Sequence, residues 1–332
     1  MNIYDVSKKA GVSIATVSRV LNGNQNVSDK TKEKVLAVME ELGYTPNVFA
    51  RGLGLNTMHT IGILCSDSSD TFLANAVYYI EQALRKNGYE SFLCCTGYEL
   101  ENKKNYLRLL LSKRVDAVIL VGSQYLEPNK TDNDYIIEAA NEVPVMMING
   151  YLNHPNIYCT LCDDYQAVYD AVCRLASHGK KRFLFLYRSD SSSSRNKIRG
   201  FKEGMEAVGL TLTDDSILLC ANDILRTKEL LSSLWEAGHT YDAILTAEDG
   251  LAVAAVKFAG AAGLSMPEDL EIVGYNNSLL GICTEPELST LDNHVETLSI
   301  TTVNTLMRVL QAADVPNKTT ISNDFVVRGT AY

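Results

Sequence analysis

The sequence predicts a chain in two parts: an N-terminal all-α head with a helix-turn-helix, then an α/β body of two doubly wound parallel-sheet subdomains. Three observations carry this. Residues 1–45 place their apolar side chains at helical spacing, residues 46–58 interrupt that pattern with Pro46, Gly52 and Gly54, and from Thr60 onward short apolar runs alternate with helical segments. At 332 residues and 46% hydrophobic content, the chain can bury two or three separate cores.

In the head, Val6, Ala10, Val12, Val17, Val20 and Leu21, then Val35, Val38, Met39 and Leu42, stripe three short helices. Punctuation marks their ends. Asn2 caps the first helix and Gly11 turns the chain; Ser13 caps the second and Asn22-Gly23 ends it; Ser28 caps the third and Gly43 closes it. Two helices joined by a turn of about four residues with a glycine make a helix-turn-helix. With Val17, Val20 and Leu21 inward on the second helix, Ala15, Ser18, Arg19 and Asn22 face outward, and Ile14 lies on the exposed first turn. This nearly acid-free face can enter a major groove by its N-terminal end. There Arg19 can donate twice to guanine O6 and N7, while Ile14 and Ala15 press on thymine methyls. An ordinary helical subdomain with a solvated arginine satisfies the same periodicity.

Charge is unevenly divided. The chain has a formal net charge of -10, but residues 1–58 hold seven Lys or Arg against five acids, leaving 23 bases against 35 acids in the rest. A slightly basic head on an acidic body suits a polyanion-binding module held away from its carrier.

In the body, strands are expected at Ile61 to Cys65, Phe92 to Cys95, Val115 to Val121 and Val143 to Ile148, then at Phe183 to Leu186, Ile217 to Leu219, Ala243 to Leu245 and Ile272 to Tyr275. Helices are expected at Phe72 to Lys86, Asn102 to Lys113, Ala167 to Ser177 and Ile198 to Val208. This alternation means βαβ units, parallel sheets and ligands bound beyond the carboxyl ends of the strands, with a cleft between two such sheets.

Several function classes are disfavoured. No apolar run approaches the ~20 residues of a spanning helix and no signal-peptide h-region opens the chain, so a cytoplasmic protein is expected. The eight cysteines read as reduced, buried thiols, and Cys159 and Cys162, although spaced C-x-x-C, have no second pair or histidine cluster to make a metal site. No cofactor is expected. G-x-S-x-G, Walker-type, G-x-G-x-x-G and H-E-x-x-H motifs are missing; His59, His154, His178, His239 and His294 stand singly; and Ser191 to Ser194 read as a polar rim rather than a nucleophile. Catalysis is not expected.

The run from Ile3 to Asn22, IYDVSKKAGVSIATVSRVLN, closely resembles the N-terminal signature of the LacI/GalR family of bacterial transcription regulators. That resemblance implies base reading by Ile14, Ala15 and Arg19, and phosphate or sugar contacts from Ser13, Thr16, Ser18 and Asn22. The Ile-Ala pair is similar to that of members reading pseudo-palindromes with a central CG step. Tyr44 to Leu53 resembles the family's hinge helix. Pro46 suits a helix start, but Gly52 and Gly54 each cost roughly 1 kcal/mol, so the segment is expected to fold only on the operator. There two hinges of a homodimer would lie in the minor groove, with Asn47, Ala50 and Arg51 on the DNA and Leu53 wedged into the central step.

The body resembles the family's periplasmic-binding-protein-like effector domain, through Thr60-Ile-Gly-Ile-Leu, Val143 to Asn149, Cys162-Asp-Asp-Tyr, Ile198-Arg-Gly-Phe, Ile272 to Asn277 and Val326 to Thr330. The implied domains are 1–45, 46–58 and 59–332, with one subdomain of about 59–160 and 291–321 and another of about 161–290 and 322–332. The resemblance also implies effector contacts from Phe72, Asn149, Arg195, Glu248, Asp249 and Asn276, Arg195 being matched by its place five residues before Gly200. Two departures stand out. Glu248 replaces the usual Asn or Ser, and Cys220-Ala-Asn-Asp223 lacks an aromatic wall. Glu248 is therefore expected either to pair with Arg195 or to receive a ligand's amine or hydroxyls. The chain ends just past Val327-Arg-Gly-Thr without a Leu-heptad tail, so tetramers built by such a tail are not expected.

The expected function is a dimeric, sequence-specific regulator, most simply a repressor, that binds double-stranded operator DNA of pseudo-palindromic sequence. A small metabolite in the cleft, a sugar or sugar derivative, would control it through the hinge. The rival from another class is a solute-binding module without a regulatory role, which would need a secretion signal and no DNA head.

Overall fold

The computed structural model describes residues 2–21, 26–44 and 57–332. The expectations for Asn22, Gly23 and the hinge segment with Asn47, Ala50, Arg51 and Leu53 lie outside the described residues.

The head is three helices, α1 (Ile3–Ala10), α2 (Ile14–Leu21) and α3 (Asp29–Leu42). Asn2 Oδ1 accepts from the Tyr4 and Asp5 amides at 2.9 and 3.2 Å, while the Asp5 carboxylate accepts from the Asn2 amide at 2.8 Å, a reciprocal capping box. Gly11 (φ 63°) and Gly43 (φ 58°) take the left-handed backbone that ends α1 and α3. Ser13 Oγ accepts from the Thr16 amide at 3.1 Å, capping α2. Ser28 differs: it stands at the cap position of α3, but its hydroxyl pairs with that of Thr31 at 2.9 Å and no side-chain cap forms. Val6, Ala10, Val17, Val20, Val27, Val35 and Met39 make one core.

In the body, β1 (Thr60–Cys65), α4 (Thr71–Lys86), β2 (Glu90–Cys95), α5 (Leu100–Ser112), β3 (Ala117–Val121), α6 (Asp134–Ala140), β4 (Val145–Ile148) and β5 (Ile157–Cys162) begin the first lobe. The second lobe follows with α7 (Asp164–Ser177), β6 (Phe183–Tyr187), α8 (Ser192–Ala207), β7 (Ile217–Leu219), α9 (Ile224–Glu236), β8 (Ala243–Thr246), α10 (Asp249–Ala262), β9 (Glu271–Tyr275), α11 (Leu279–Ile282) and β10 (Ser289–Asp292). Then α12 (Val295–Leu310) and β11 (Lys318–Ile321) return to the first lobe, and β12 (Asp324–Val326) closes the second.

One sheet runs β11-β5-β4-β3-β1-β2, wholly parallel; the other runs β12-β10-β9-β8-β6-β7, parallel except where β12 lies antiparallel to β10. The chain thus passes between sheets after Cys162, Asp292 and Ile321. Helices cover both faces of each sheet, which is why β1 and β3 are buried along their whole length. Strands β5, β10, β11 and β12 escape a reading by apolar runs because they border the passages and mix polar residues into short segments, as in Lys318-Thr-Thr-Ile.

Cys159 and Cys162 both lie on β5, an odd number of residues apart, and so point to opposite faces of the sheet. Cys159 belongs to the core that holds Leu64 and Met147, and Cys162 to the one that holds Ile61 and Leu298. They cannot meet as a redox pair.

In the second lobe α8 lies tightly on α7. A Cβ on Gly200 would come within 2.3 Å of the Tyr165 carbonyl oxygen, so glycine is what permits the approach. That contact sets the rotation of α8, and with it which side chains reach the cleft.

Candidate functional site

Two surfaces carry the expected chemistry. On the head, Ser13, Ile14, Ala15 and Arg19 are exposed, Thr16 and Ser18 are half-buried, and Val17 and Val20 are buried. An apolar Ile14 left 38% exposed on the first turn of α2 has no role in the head's own core. The face opposite Val17 and Val20 has no carboxylate within α2 and presents one guanidinium.

The second surface is the cleft at the carboxyl ends of both sheets. The first lobe contributes Asp70 and Phe72 at the start of α4, Gln124 after β3 and Asn149 after β4; the second contributes Arg188 and Ser189 after β6, Lys197 on α8, Glu248 before α10 and Asn276 after β9. Asn149 and Asn276 take left-handed backbone, φ 57° and 99°, at these strand ends. Asn149 Oδ1 accepts from the Cys162 amide at 2.9 Å, and Asn276 Oδ1 from Asn293 Nδ2 at 2.8 Å, which fixes both amides at the cavity wall.

Charged groups organise the centre. Arg188 Nε donates to Glu248 at 2.6 Å within the second lobe, and another of its nitrogens donates to Asp70 of the first. Gln124 Nε2 to Ser189 Oγ, 2.9 Å, adds a second link between lobes. Beneath them Lys197 is buried: its ammonium donates to the Ala247 carbonyl at 2.9 Å, sits 3.5 Å from the centroid of the Tyr275 ring, and lies 4.0 Å from Asp164. Tyr275 in turn donates to Asp164 and accepts from Asn323 at 2.7 Å. Burial pushes the Glu248 carboxyl above the usual carboxylate range, with Arg188 pulling it the other way. Burial likewise lowers Lys197, opposed by Asp164. Arg188, although desolvated, is held above its ordinary value by Glu248 and Asp70.

Of the expected effector residues, Phe72, Asn149, Glu248 and Asn276 line this cavity. Arg195 does not, and the pairing expected for it is corrected: it bonds Asp190 at 3.0 Å and faces a separate groove beside Leu126, Lys130 and Tyr151. The reason is helical phase. On α8 the buried positions are Ser194, Lys197, Gly200, Phe201 and Gly204, and Arg195 lies about 150° around the helix from the centre of that face. Lys197, four residues before the apolar Phe201, takes the inward place, and the phase of Phe201 and Met205 was the available signal for it. Asp249 is absent from the lining of this cavity but borders the adjoining outer space, where it is held by the protein itself. Its oxygens accept from Thr290 Oγ1 and the Ser278 amide, both at 2.6 Å, so the carboxylate braces the second lobe. Arg188, Asp70, Asp164, Tyr98 and Asn293 were not anticipated, since each joins the site by a turn geometry that carries no local pattern.

Comparison with known proteins gives the context. Residues 2–47 match the family model for bacterial regulatory proteins of the lacI family, and residues 58–328 that for periplasmic binding proteins and the sugar binding domain of the LacI family. An HTH-type transcriptional regulator of Lachnoclostridium phytofermentans is 66% identical over 330 residues, 99% of both chains. The HTH-type transcriptional regulator DegA of Bacillus subtilis is 32% identical, over 87% of this chain and 85% of its own. Among solved structures, the lac repressor dimer bound to operator and the anti-inducer ONPF superimposes with a TM-score of 0.90 at 25% identity, covering 99% of this chain and 98% of the other. A helix-turn-helix head, two α/β lobes around a polar cleft and both family matches make this chain a member of the LacI family of DNA-binding transcriptional regulators, not an enzyme.

Proposed function

We propose that this regulator is a cytoplasmic repressor that binds a pseudo-palindromic operator as a homodimer and is controlled by a sugar or sugar derivative held between the lobes. Ile14, Ala15 and Arg19 read base edges, while Ser13, Thr16, Ser18 and Asn22 position the head on phosphate and sugar. Asn47, Ala50, Arg51 and Leu53 serve in the hinge, between a head of residues 1–45 and a body of 59–332. Exposed apolar side chains support a second copy as partner: Tyr78, Phe92 and Leu93 on the first lobe, Leu219, Leu279 and Ile282 on the second.

The observation that carries the reading is the cleft itself. Side chains of both lobes converge there, so any ligand they hold has different contacts in open and closed bodies and thereby biases the equilibrium between them. Phe72, Asn149, Glu248 and Asn276 are the expected contacts, joined by Arg188 and Lys197. The test is selection from random-sequence DNA followed by gel retardation at low salt. Enrichment of a two-fold symmetric site supports the proposal; failure to enrich any palindrome overturns it and favours a solute-binding module.

A further inference from the structure

The cleft holds two chambers. The inner one, about 90 Å³, lies against Phe72, Asn149, Lys197 and Asn293; the outer one, about 460 Å³, lies against Asn222, Asp223, Leu225 and Leu280. Asp70, Arg188, Glu248 and Asn276 border both. The guanidinium of Arg188, fastened to Glu248 on its own lobe and to Asp70 on the other, is therefore the partition. The inner chamber alone falls well below the ~300 Å³ at which ligand pockets begin, while the outer one exceeds it, so a ligand seated in the outer chamber reaches Lys197 and Asn293 only by passing the partition.

Charge narrows the ligand further. Among the described residues, Asp70, Asp164, Asp223, Glu248 and Asp249 line the joined space against only Arg188 and Lys197. Both cations already face carboxylates, Arg188 those of Asp70 and Glu248, Lys197 that of Asp164. A phosphate or carboxylate entering here meets a negative field with no cation in reserve. Hydroxyl donors, by contrast, find acceptors: besides the carboxylates, Asn293 Oδ1 is buried at the inner wall with no partner among the described residues. Leu225, 63% exposed, and Leu280 supply an apolar wall outside the partition, suited to the C–H face of a sugar ring.

We propose that the effector is an uncharged carbohydrate of at least two rings, one in each chamber, which displaces Arg188 from Asp70 and replaces that link between the lobes with its own hydroxyls. The proposal rests on the cleft being the effector site and adds the chemical class of the ligand.

The test is isothermal titration calorimetry on the full chain. The probes are glucose, disaccharides and trisaccharides of gluco-, xylo-, manno- and galacto-configuration, glucose 6-phosphate and glucuronate. At least one oligosaccharide is expected to bind tenfold or more tighter than glucose, with no heat from the two anions. L225E, at an exposed position of the outer chamber, is expected to weaken that oligosaccharide about tenfold and leave glucose unchanged. Glucose or an anion binding as tightly as the best oligosaccharide, an unaltered oligosaccharide affinity in L225E, or silence across the panel overturns the proposal. Retardation of the selected operator by the same preparation distinguishes that failure from failure of the regulator reading.

Discussion

Arg188 donates through Nε to Glu248 at 2.6 Å and through a second nitrogen to Asp70, so one guanidinium joins the residue before α10 to the residue before α4 in the opposite lobe. The Arg188 side chain is 18% exposed, and its truncation leaves two largely buried carboxylates facing each other across the cleft. Arg188→Ala is expected to cost about 1–3 kcal/mol of body stability, read by urea denaturation. Asp70→Asn should cost less, since Glu248 still pairs the guanidinium.

Glu248 also makes stability depend on pH in a defined direction. Its carboxyl is raised by burial above the ordinary value of 4.5, so in the window above that value the native state holds more proton than the unfolded chain. Stability conferred by this group is therefore fully present below the unfolded value and declines as pH rises through the folded one. Glu248→Gln should remove that decline. Parallel urea titrations from pH 4.5 upward that show the same slope in both proteins would contradict it.

Lys197 and Arg195, two residues apart, should separate cleanly. Lys197→Met leaves the Ala247 carbonyl unpaired and Asp164 without its nearby cation, and is expected to cost roughly 1–3 kcal/mol and to abolish effector-induced change in operator affinity. Arg195→Ala removes a surface pair with Asp190, so stability should change by less than about 0.5 kcal/mol and the effector response should persist. The comparison is made by denaturation and by operator titration with and without effector.

Gly200→Ala places a methyl 2.3 Å from the Tyr165 carbonyl oxygen, backbone that cannot swing aside. Separation of α7 from α8 should cost at least about 1–3 kcal/mol and misplace Lys197, visible as lowered denaturation midpoint together with weakened effector binding.

Arg19→Ala is expected to relax discrimination at one base pair per half-site by about 1–3 kcal/mol, measured against single-base operator variants. Uniform loss across all variants would instead assign Arg19 to phosphate.

The head was legible because its information is local. Apolar residues at 3.6-residue spacing choose the buried faces of α1, α2 and α3, and Asn2, Gly11, Ser13 and Gly43 end them by bonds or backbone angles within a few residues. Alternation of apolar runs likewise indicated two largely parallel sheets and a cleft at their carboxyl ends, while Phe72, Asn149, Glu248 and Asn276, which line that cleft, were expected there only from the family resemblance. Ser28, although placed at the cap position of α3, makes no side-chain cap; its hydroxyl contact with Thr31 does not explain this, since Ser13 has the same contact with Thr16 and still caps α2. What the tertiary structure alone decided are relations between distant residues. Arg188 lies 60 positions from Glu248 and 118 from Asp70, and no periodicity links them. The choice of Lys197 over Arg195, two residues and so about 160° apart around the helix, turned on the rotation of α8, which packs closely on Tyr165 of the neighbouring helix at Gly200. Spacing along a chain determines faces and ends of elements, but charge pairing across a cleft depends on how the two lobes meet.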